Sequence, residues 1–371
     1  MRVSGSGRNV GGAVVEASRD VVRASYQRAV NFTVRFLYTQ SDVGVQTAIA
    51  VTRPSRSRDG NEVVYNPDFE ELRSFSGHAE ITTEYDSPAY VSEQRSRNAD
   101  QTKNDVDHEF TDDDEHVQEA LDSARDADLV CLDRQMGRHP DHSYVCRLYV
   151  PKEYGRIALA WGKLFDPVDG NRDPHFRTLQ IPEYEDTRVR IFVDDGVTYV
   201  LGSDYTGEAK KSFLRLFMHR AKQNGGLGLH AGTKRVRLRD DEGDVRSVGQ
   251  AFLGLSATGK STLTSHGCWL DGPEENAWML QDDVCALLPD GTVVGSEGNG
   301  LYVKTHGLDA EEQPGLYRAA TNPHAVLENV RVDDGGAVDF DDDTLTRNGR
   351  AIVLRDDLDS AADEIDLDGV D

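Results

Sequence analysis

Residues 254–261 read Gly-Leu-Ser-Ala-Thr-Gly-Lys-Ser, a complete G-x-x-x-x-G-K-[ST] pattern. Its chemistry is phosphate binding. Gly254 and Gly259 let the backbone curl, so that the N–H groups of Leu255, Ser256, Ala257 and Thr258 point inward at phosphate oxygens. Lys260 reaches the β- and γ-phosphates, and the Ser261 hydroxyl sits on the Mg²⁺ that accompanies them. The flanks suit the loop. An apolar run at 248–253 reads as a buried strand, and 262–266 can open a helix. Strand, loop and helix in that order predict a nucleoside-triphosphate site.

Other residues could complete such a site. Asp282-Asp283 closes an apolar run at 277–281, downstream of the loop. A carboxylate there can hold a metal against a triphosphate, although acid pairs are common in this chain and one alone is as readily a solvated turn. Lys210-Lys211 falls in the first turn of a predicted helix, where cations oppose the dipole by about 0.3–1 kcal/mol. Such a local cost points to a functional site; two solvated lysines are the alternative. His230 follows Gly-Gly-Leu-Gly-Leu and by itself reads as a satisfied polar residue. The four cysteines (Cys131, Cys146, Cys268, Cys285) form no C-x-x-C pair, which argues against a zinc site or a disulfide framework and for reduced thiols in a cytoplasmic protein.

Several elements must position these groups. Residues 208–224 are amphipathic, with Phe213, Leu214, Phe217 and Ala221 on one face, and Gly225-Gly226 stops the helix. Residues 188–193 and 197–201 read as strands joined by an Asp194-Asp195-Gly196 hairpin turn. Residues 127–132 read as a strand, and 116–126 as a helix introduced by Asp112-Asp113-Asp114-Glu115. The chain after the phosphate loop is strand-rich. A domain boundary is placed after Gly226.

The charge is strongly negative: 66 acids against 41 bases, a net of −25. That excludes nucleic acid and anionic membranes as partners and suits a halophilic protein kept soluble in concentrated salt. No apolar run approaches the ~20 residues that span a bilayer. Lysine is scarce, at nine residues against 32 arginines, so Lys210, Lys211 and Lys260 are informative. Residues 1–58 break the pattern, with nine arginines and only Glu16, Asp20 and Asp42. They read as a poorly ordered basic extension that the core fold can do without.

Taken together, the motifs resemble the ATP-dependent phosphoenolpyruvate carboxykinase family. The resemblance rests on Tyr205-Thr-Gly-Glu-Ala-Lys210-Lys211, Leu229-His230, 254–261 and Asp282-Asp283 in that order. Asp133-Arg-Gln-Met-Gly137-Arg-His-Pro140-Asp141, Glu297-Gly298-Asn-Gly300-Leu-Tyr302-Val-Lys304-Thr305, Val326-Leu-Glu-Asn-Val330, Val338-Asp-Phe-Asp-Asp342 and Asn348-Gly-Arg350 resemble further family segments. It runs from about Tyr65 to Arg350 and departs in places. Ala257 stands where the family has glycine, Asp282-Asp283 is followed by Val-Cys-Ala rather than E-H-G-W, and 269–276 looks like an insertion. The family's early arginine is best matched by Arg95-Ser96-Arg97, with Arg97 and Arg95 both open.

The resemblance implies an α/β fold in two domains. A mixed-sheet substrate domain would span 59–226, and a phosphate-loop nucleotide-binding domain 227–371. The implied reaction, a step of gluconeogenesis, converts oxaloacetate and ATP to phosphoenolpyruvate, ADP and CO₂. Lys211, His230 and Asp283 would hold Mn²⁺, Ser261 the Mg²⁺ of ATP, and Glu297 would border the nucleotide. Tyr205 and Arg97 would meet oxaloacetate and CO₂, Lys210 would tune Lys211, and Arg350 would neutralise the transferring phosphoryl group. The family chain continues well beyond Asp371, so the second domain is expected to be incomplete and to need a separate C-terminal chain. A phosphate-loop kinase of another small substrate, or a non-catalytic partial chain, are the alternatives.

Overall fold

A computed structural model describes residues 55–56, 62–108, 119, 122–124, 126–170, 172–254, 259–268, 270 and 272–368. Of the basic extension, only Ser55–Arg56 is described. Most of the helix expected at 116–126, and Leu255, Ser256, Ala257 and Thr258 of the phosphate loop, lie outside the described residues. Among the described residues no helix is long and apolar enough to cross a membrane.

The fold is mixed α/β. Strands are numbered in chain order. The largest sheet has eight, in the order β1-β2-β6-β7-β8-β10-β9-β5. They are β1 (Ser55–Arg56), β2 (Glu62–Tyr65), β5 (Thr102–Asn104), β6 (Leu129–Met136), β7 (Tyr144–Pro151), β8 (Phe176–Ile181), β9 (Arg188–Phe192) and β10 (Val197–Leu201). β9 and β10 form the expected antiparallel hairpin, whereas β8 runs parallel to both β7 and β10. Side chains alternate across the sheet. Val197, Tyr199 and Leu201 pack on one face with Leu129, Cys131 and Tyr149, and Val200 turns to the other.

That other face carries two helices, α2 (Gly155–Gly162) and α3 (Thr206–Gln223), with α1 (Phe69–Phe75) packed against α2. Trp161 of α2 stacks near Phe213 of α3, ring centroids 4.9 Å apart. Burying each such side chain is worth about 1.5–3 kcal/mol, which fixes α3 and the lysines it carries. α3 begins two residues before the expected start and ends at Gln223, capped by Asn224, with Gly225 left-handed at φ 82°.

The same sheet explains one family-like motif. Asp133 of β6 pairs with Arg147 of β7, Oδ1 to Nε at 2.5 Å, both side chains 2% exposed. The Tyr65 hydroxyl donates to the same carboxylate. Asp133 is therefore a buried structural pair far from solvent.

The rest of the chain forms smaller sheets. β13 (Val245–Leu253), β12 (Ala231–Arg239) and β14 (Asn276–Gln281) make an antiparallel three-stranded sheet with β12 central. β11 (Leu227–Leu229), β15 (Cys285–Leu287) and β16 (Val293–Gly295) make a second. The strand leading into the phosphate loop, β13, starts three residues earlier than expected. A five-stranded sheet runs β17 (Gly300–Lys304), β21 (Arg350–Leu354), β18 (Val326–Glu328), β4 (Pro88–Tyr90) and β3 (Ile81–Thr82). A short ribbon joins β19 (Arg331–Val332) to β20 (Val338–Asp339). The helices of this part are α4 (Lys260–Ser265) and α5 (Pro314–Ala320). The largest buried cluster draws on both sides of Gly226, from Leu72 and Trp161 to Val284, Tyr302 and Ile352. At the other end Leu367 bridges to Val293, each N–H donating to the other's carbonyl at 2.8 Å.

Candidate active site

Asp283 is where the site converges. It lies just beyond β14 and gathers four cationic or basic groups. Its Oδ2 is 2.8 Å from Lys210 Nζ and 2.6 Å from Lys211 Nζ. Its Oδ1 is 2.7 Å from His230 Nε2 and 3.6 Å from Lys260 Nζ. The four partners arrive from three places in the fold. Lys210 and Lys211 sit one turn into α3, His230 lies between β11 and β12, and Lys260 opens α4. The left-handed Gly259, φ 85°, caps the N-terminus of α4. Lys260 Nζ also donates to the Asp282 carbonyl at 2.5 Å.

The electrostatics follow from burial and charge together. Burial would raise Asp283, but Lys210, His230, Lys211 and Lys260 hold it well below the usual carboxylate range. Lys210, buried, is depressed by desolvation and lifted more strongly by Asp283 and Glu297, so it stays a cation. Its Nζ is 2.9 Å from Glu297 Oε1. Burial, with Asp283 adding to it, holds Glu297 above the usual range despite Lys210. Lys211 goes the other way: burial depresses it below ordinary lysine, against the pull of Asp283 and with the help of Lys210. The two adjacent lysines thus differ in kind. Lys210 is a fixed positive charge, and Lys211 gives up its proton more readily than an ordinary lysine.

Several further predicted residues line the same pocket, of volume 730 Å³. Tyr205, Arg97, Gly259, Lys260, Ser261 and Arg350 all face it. Of the two open arginines, Arg97 lines the pocket, while Arg95 Nη1 donates to Asn329 Oδ1 at 3.3 Å. Glu297 is 2% exposed behind Lys210, beneath the pocket rather than on its wall. Gly254 is described but does not line the pocket.

Two residues have roles that residue type alone does not announce. Lys210 Nζ and the Arg350 guanidinium each lie over the Tyr302 ring, 5.2 Å from its centroid. Its hydroxyl donates to the buried Glu328. Asn348 donates from Nδ2 to the Tyr205 hydroxyl at 3.0 Å and accepts from Arg350 Nη2 at 2.8 Å. Both stand inside the family-like segments, and that position is the only signal that could have found them.

Gly207 decides where Tyr205 sits. A Cβ on Gly207 would lie 2.3 Å from the Tyr205 ring, and no side chain tolerates that approach. Gly207→Ala is expected to displace the Tyr205 ring from the pocket. Binding of a carboxylate substrate should weaken by roughly tenfold or more, as misplacements of this size do, with ATP affinity unchanged. Separate titrations of oxalate and ATP would check this; equal loss of both would show a wider distortion.

A divalent cation fits the donor set. An imidazole nitrogen and an amine each lie within hydrogen-bond distance of the same carboxylate, and mixed nitrogen and oxygen donors suit first-row divalent metals. Asp282 Oδ1, buried beside them, has no hydrogen-bond partner. Among the described residues no group of three or more His, Cys, Asp or Glu side chains could hold a metal, so the lysine is essential to this set.

Comparison with protein families matches residues 89–367 to the family described as phosphoenolpyruvate carboxykinase. The chain belongs to the phosphoenolpyruvate carboxykinase family. The matched span contains every pocket residue from Arg97 to Arg350. A phosphoenolpyruvate carboxykinase (ATP) of Aeropyrum pernix is 39% identical over 254 residues, 68% of this chain and 51% of that protein. Those of Salinibacter ruber, named phosphoenolpyruvate carboxykinase (ATP) 2, and Thermus thermophilus are 35% and 34% identical over 47% and 48% of this chain. The matches cover 30% and 31% of those two proteins. The chain spans about half the length of the Aeropyrum carboxykinase it matches.

Proposed function

We propose that this chain carries the oxaloacetate, metal and phosphate subsites of an ATP-dependent phosphoenolpyruvate carboxykinase. The reaction is decarboxylation and phosphorylation of oxaloacetate to phosphoenolpyruvate, ADP and CO₂, serving gluconeogenesis. The observation that carries the reading is the convergence of Lys211, His230 and Lys260, the lysine of the phosphate-loop motif, on Asp283. In this reading residues 59–226 form the substrate domain and 227–371 the phosphate-loop domain, preceded by a basic extension. A cytoplasmic location belongs to the same reading.

The reaction poses two problems for the protein. Loss of CO₂ leaves an enolate whose oxygen needs positive charge. That oxygen must then be aligned with the γ-phosphorus. Lys210 supplies a permanent charge, held by Glu297 and Asp283, and Arg350 supplies another against the Tyr302 ring. Arg97 and Tyr205 bind and orient the carboxylates of oxaloacetate. Lys260 bridges the β- and γ-phosphates and so fixes the donor. Mn²⁺ would be held by Lys211, His230 and Asp283, and the Mg²⁺ of ATP by Ser261 with Asp282 nearby. Bound there, a divalent cation supplies Lewis acidity to the enolate and phosphoryl oxygens.

The pH dependence of metal binding tests the assignment. A protonated amine has no lone pair to donate, so Mn²⁺ must displace a proton from Lys211 whenever the pH lies below its pKa. Mn²⁺ affinity is therefore expected to rise with pH, by up to roughly tenfold per unit, and to level off below the ordinary lysine range because burial depresses Lys211. Lys211→Met should lose affinity and flatten the profile. Calorimetric titrations across pH would show it; Mn²⁺ affinity indifferent to both pH and Lys211→Met would remove Lys211 from the metal site.

A further inference from the structure

Segment 92–98 carries Arg97 to the pocket, yet among the described residues none of 92–97 makes a backbone–backbone hydrogen bond. The segment hangs on side chains instead. Asp204 accepts the Glu93 N–H on Oδ2 at 2.8 Å and the Gln94 N–H on Oδ1 at 2.9 Å. Glu208 Oε1 accepts the Asn98 N–H at 2.8 Å. Arg95, Ser96 and Arg97 are strung between these two carboxylates, with Asn348 holding the Arg95 carbonyl at 2.8 Å.

Both carboxylates are buried, Asp204 at 7% and Glu208 at 0% exposure. A buried charge is costly unless it is paired and hydrogen-bonded, so their placement has to be repaid by the bonds they make. Asp204 is also paired with Arg156 Nη2 at 2.6 Å. Glu208 has its nearest cation, Arg215 Nη2, at 3.8 Å, so its bond to Asn98 is a main compensation. Asp204 immediately precedes Tyr205, and Glu208 lies one turn before Lys211 on α3. The strap is thus fastened to the turns that carry the other substrate-facing groups.

We propose that Asp204 and Glu208 are positioning residues for Arg97. They accept backbone N–H groups on either side of it and fix its guanidinium relative to Tyr205 and Lys211. Bonds from N–H groups to ionised carboxylates are the stronger kind, which suits a strap that has no sheet or helix of its own. The inference rests on the oxaloacetate reading for what Arg97 touches; the tether itself does not.

The test combines kinetics with proteolysis. Glu208→Ala is expected to raise the KM for oxaloacetate by roughly ten- to a hundredfold and leave the ATP Kd unchanged. It should speed tryptic cleavage after Arg95 and Arg97 in the native chain. Glu208→Gln keeps an oxygen acceptor and should recover most of the loss. In an Arg97→Ala background, Glu208→Ala should add little, because its effect runs through Arg97. Asp204→Asn, which leaves one of the Glu93 and Gln94 N–H groups facing an amide –NH₂ instead of an acceptor, should show the same loss of oxaloacetate affinity and faster cleavage and serves if Glu208→Ala fails to fold. Independent, multiplicative losses in the double variant, or an unchanged tryptic rate, would overturn the proposal. Absence of turnover in the wild-type chain would sink the oxaloacetate reading instead, and the tryptic rates would still decide the tether.

Discussion

Lys260→Ala is expected to cut ATP-dependent turnover by about 10²–10³-fold, the scale of losing one preorganised charge at a phosphoryl-transfer site, while the chain stays folded. The two halves of this expectation have separate causes. In the proposed reading Lys260 is the cation that the phosphate loop presents to the β- and γ-phosphates. Structurally it is replaceable, because Asp283 keeps Lys210, Lys211 and His230 when Lys260 is gone. Its hydrogen bond to the Asp282 carbonyl can pass to water in the opened pocket. Thermal melts and steady-state rates on the same preparation would separate the two effects. Turnover at the wild-type level would take the loop out of the mechanism.

Asp283→Asn should do the opposite and damage both. The substitution leaves Lys210, Lys211 and Lys260 close together, with Glu297 paired to Lys210 alone. Removing one partner of a buried ion pair costs about 3–5 kcal/mol, and here one carboxylate serves several cations. Urea denaturation is expected to show a loss of that size, little relieved by added salt because buried charges are poorly screened. Mn²⁺ binding and turnover should disappear with it. A variant as stable as wild type would mean that the lysines shed their protons or move apart, and that Asp283 is not what holds them.

Much of this site is legible in the sequence because its signals are local. The phosphate loop is eight consecutive residues, and its lysine and serine have defined roles. Lys210-Lys211 opens an amphipathic run and Asp282-Asp283 closes an apolar one, so their elements could be placed within a few residues. What could not be read is which of two adjacent groups does what. Arg97 rather than Arg95 reaches the pocket because Asn329 and Asn348 claim Arg95, and Asn329 meets Ser92 across 237 residues of chain. Lys210 and Lys211 differ because Glu297 comes in behind only one of them.

Strand pairing was illegible for the same reason. Residue 248–253 periodicity announces a strand, but not that β13 is the outer strand of an antiparallel sheet with β12 at its centre. Nothing local indicates that Pro88–Tyr90 pairs in parallel with Val326–Glu328. The buried roles of Tyr302 and Asn348 are likewise created by neighbours distant in sequence.

The most direct measurement follows carbon and phosphate together. The chain is incubated with oxaloacetate, ATP, Mg²⁺ and Mn²⁺ in high salt, and phosphoenolpyruvate, ADP and CO₂ are quantified in one reaction. The account predicts that the three products appear in equal amounts, that none of them exceeds the spontaneous background when ATP or oxaloacetate is omitted, and that all three fall together in Lys260→Ala. ADP released without matching phosphoenolpyruvate and CO₂, or CO₂ formed at a rate independent of ATP, would contradict it.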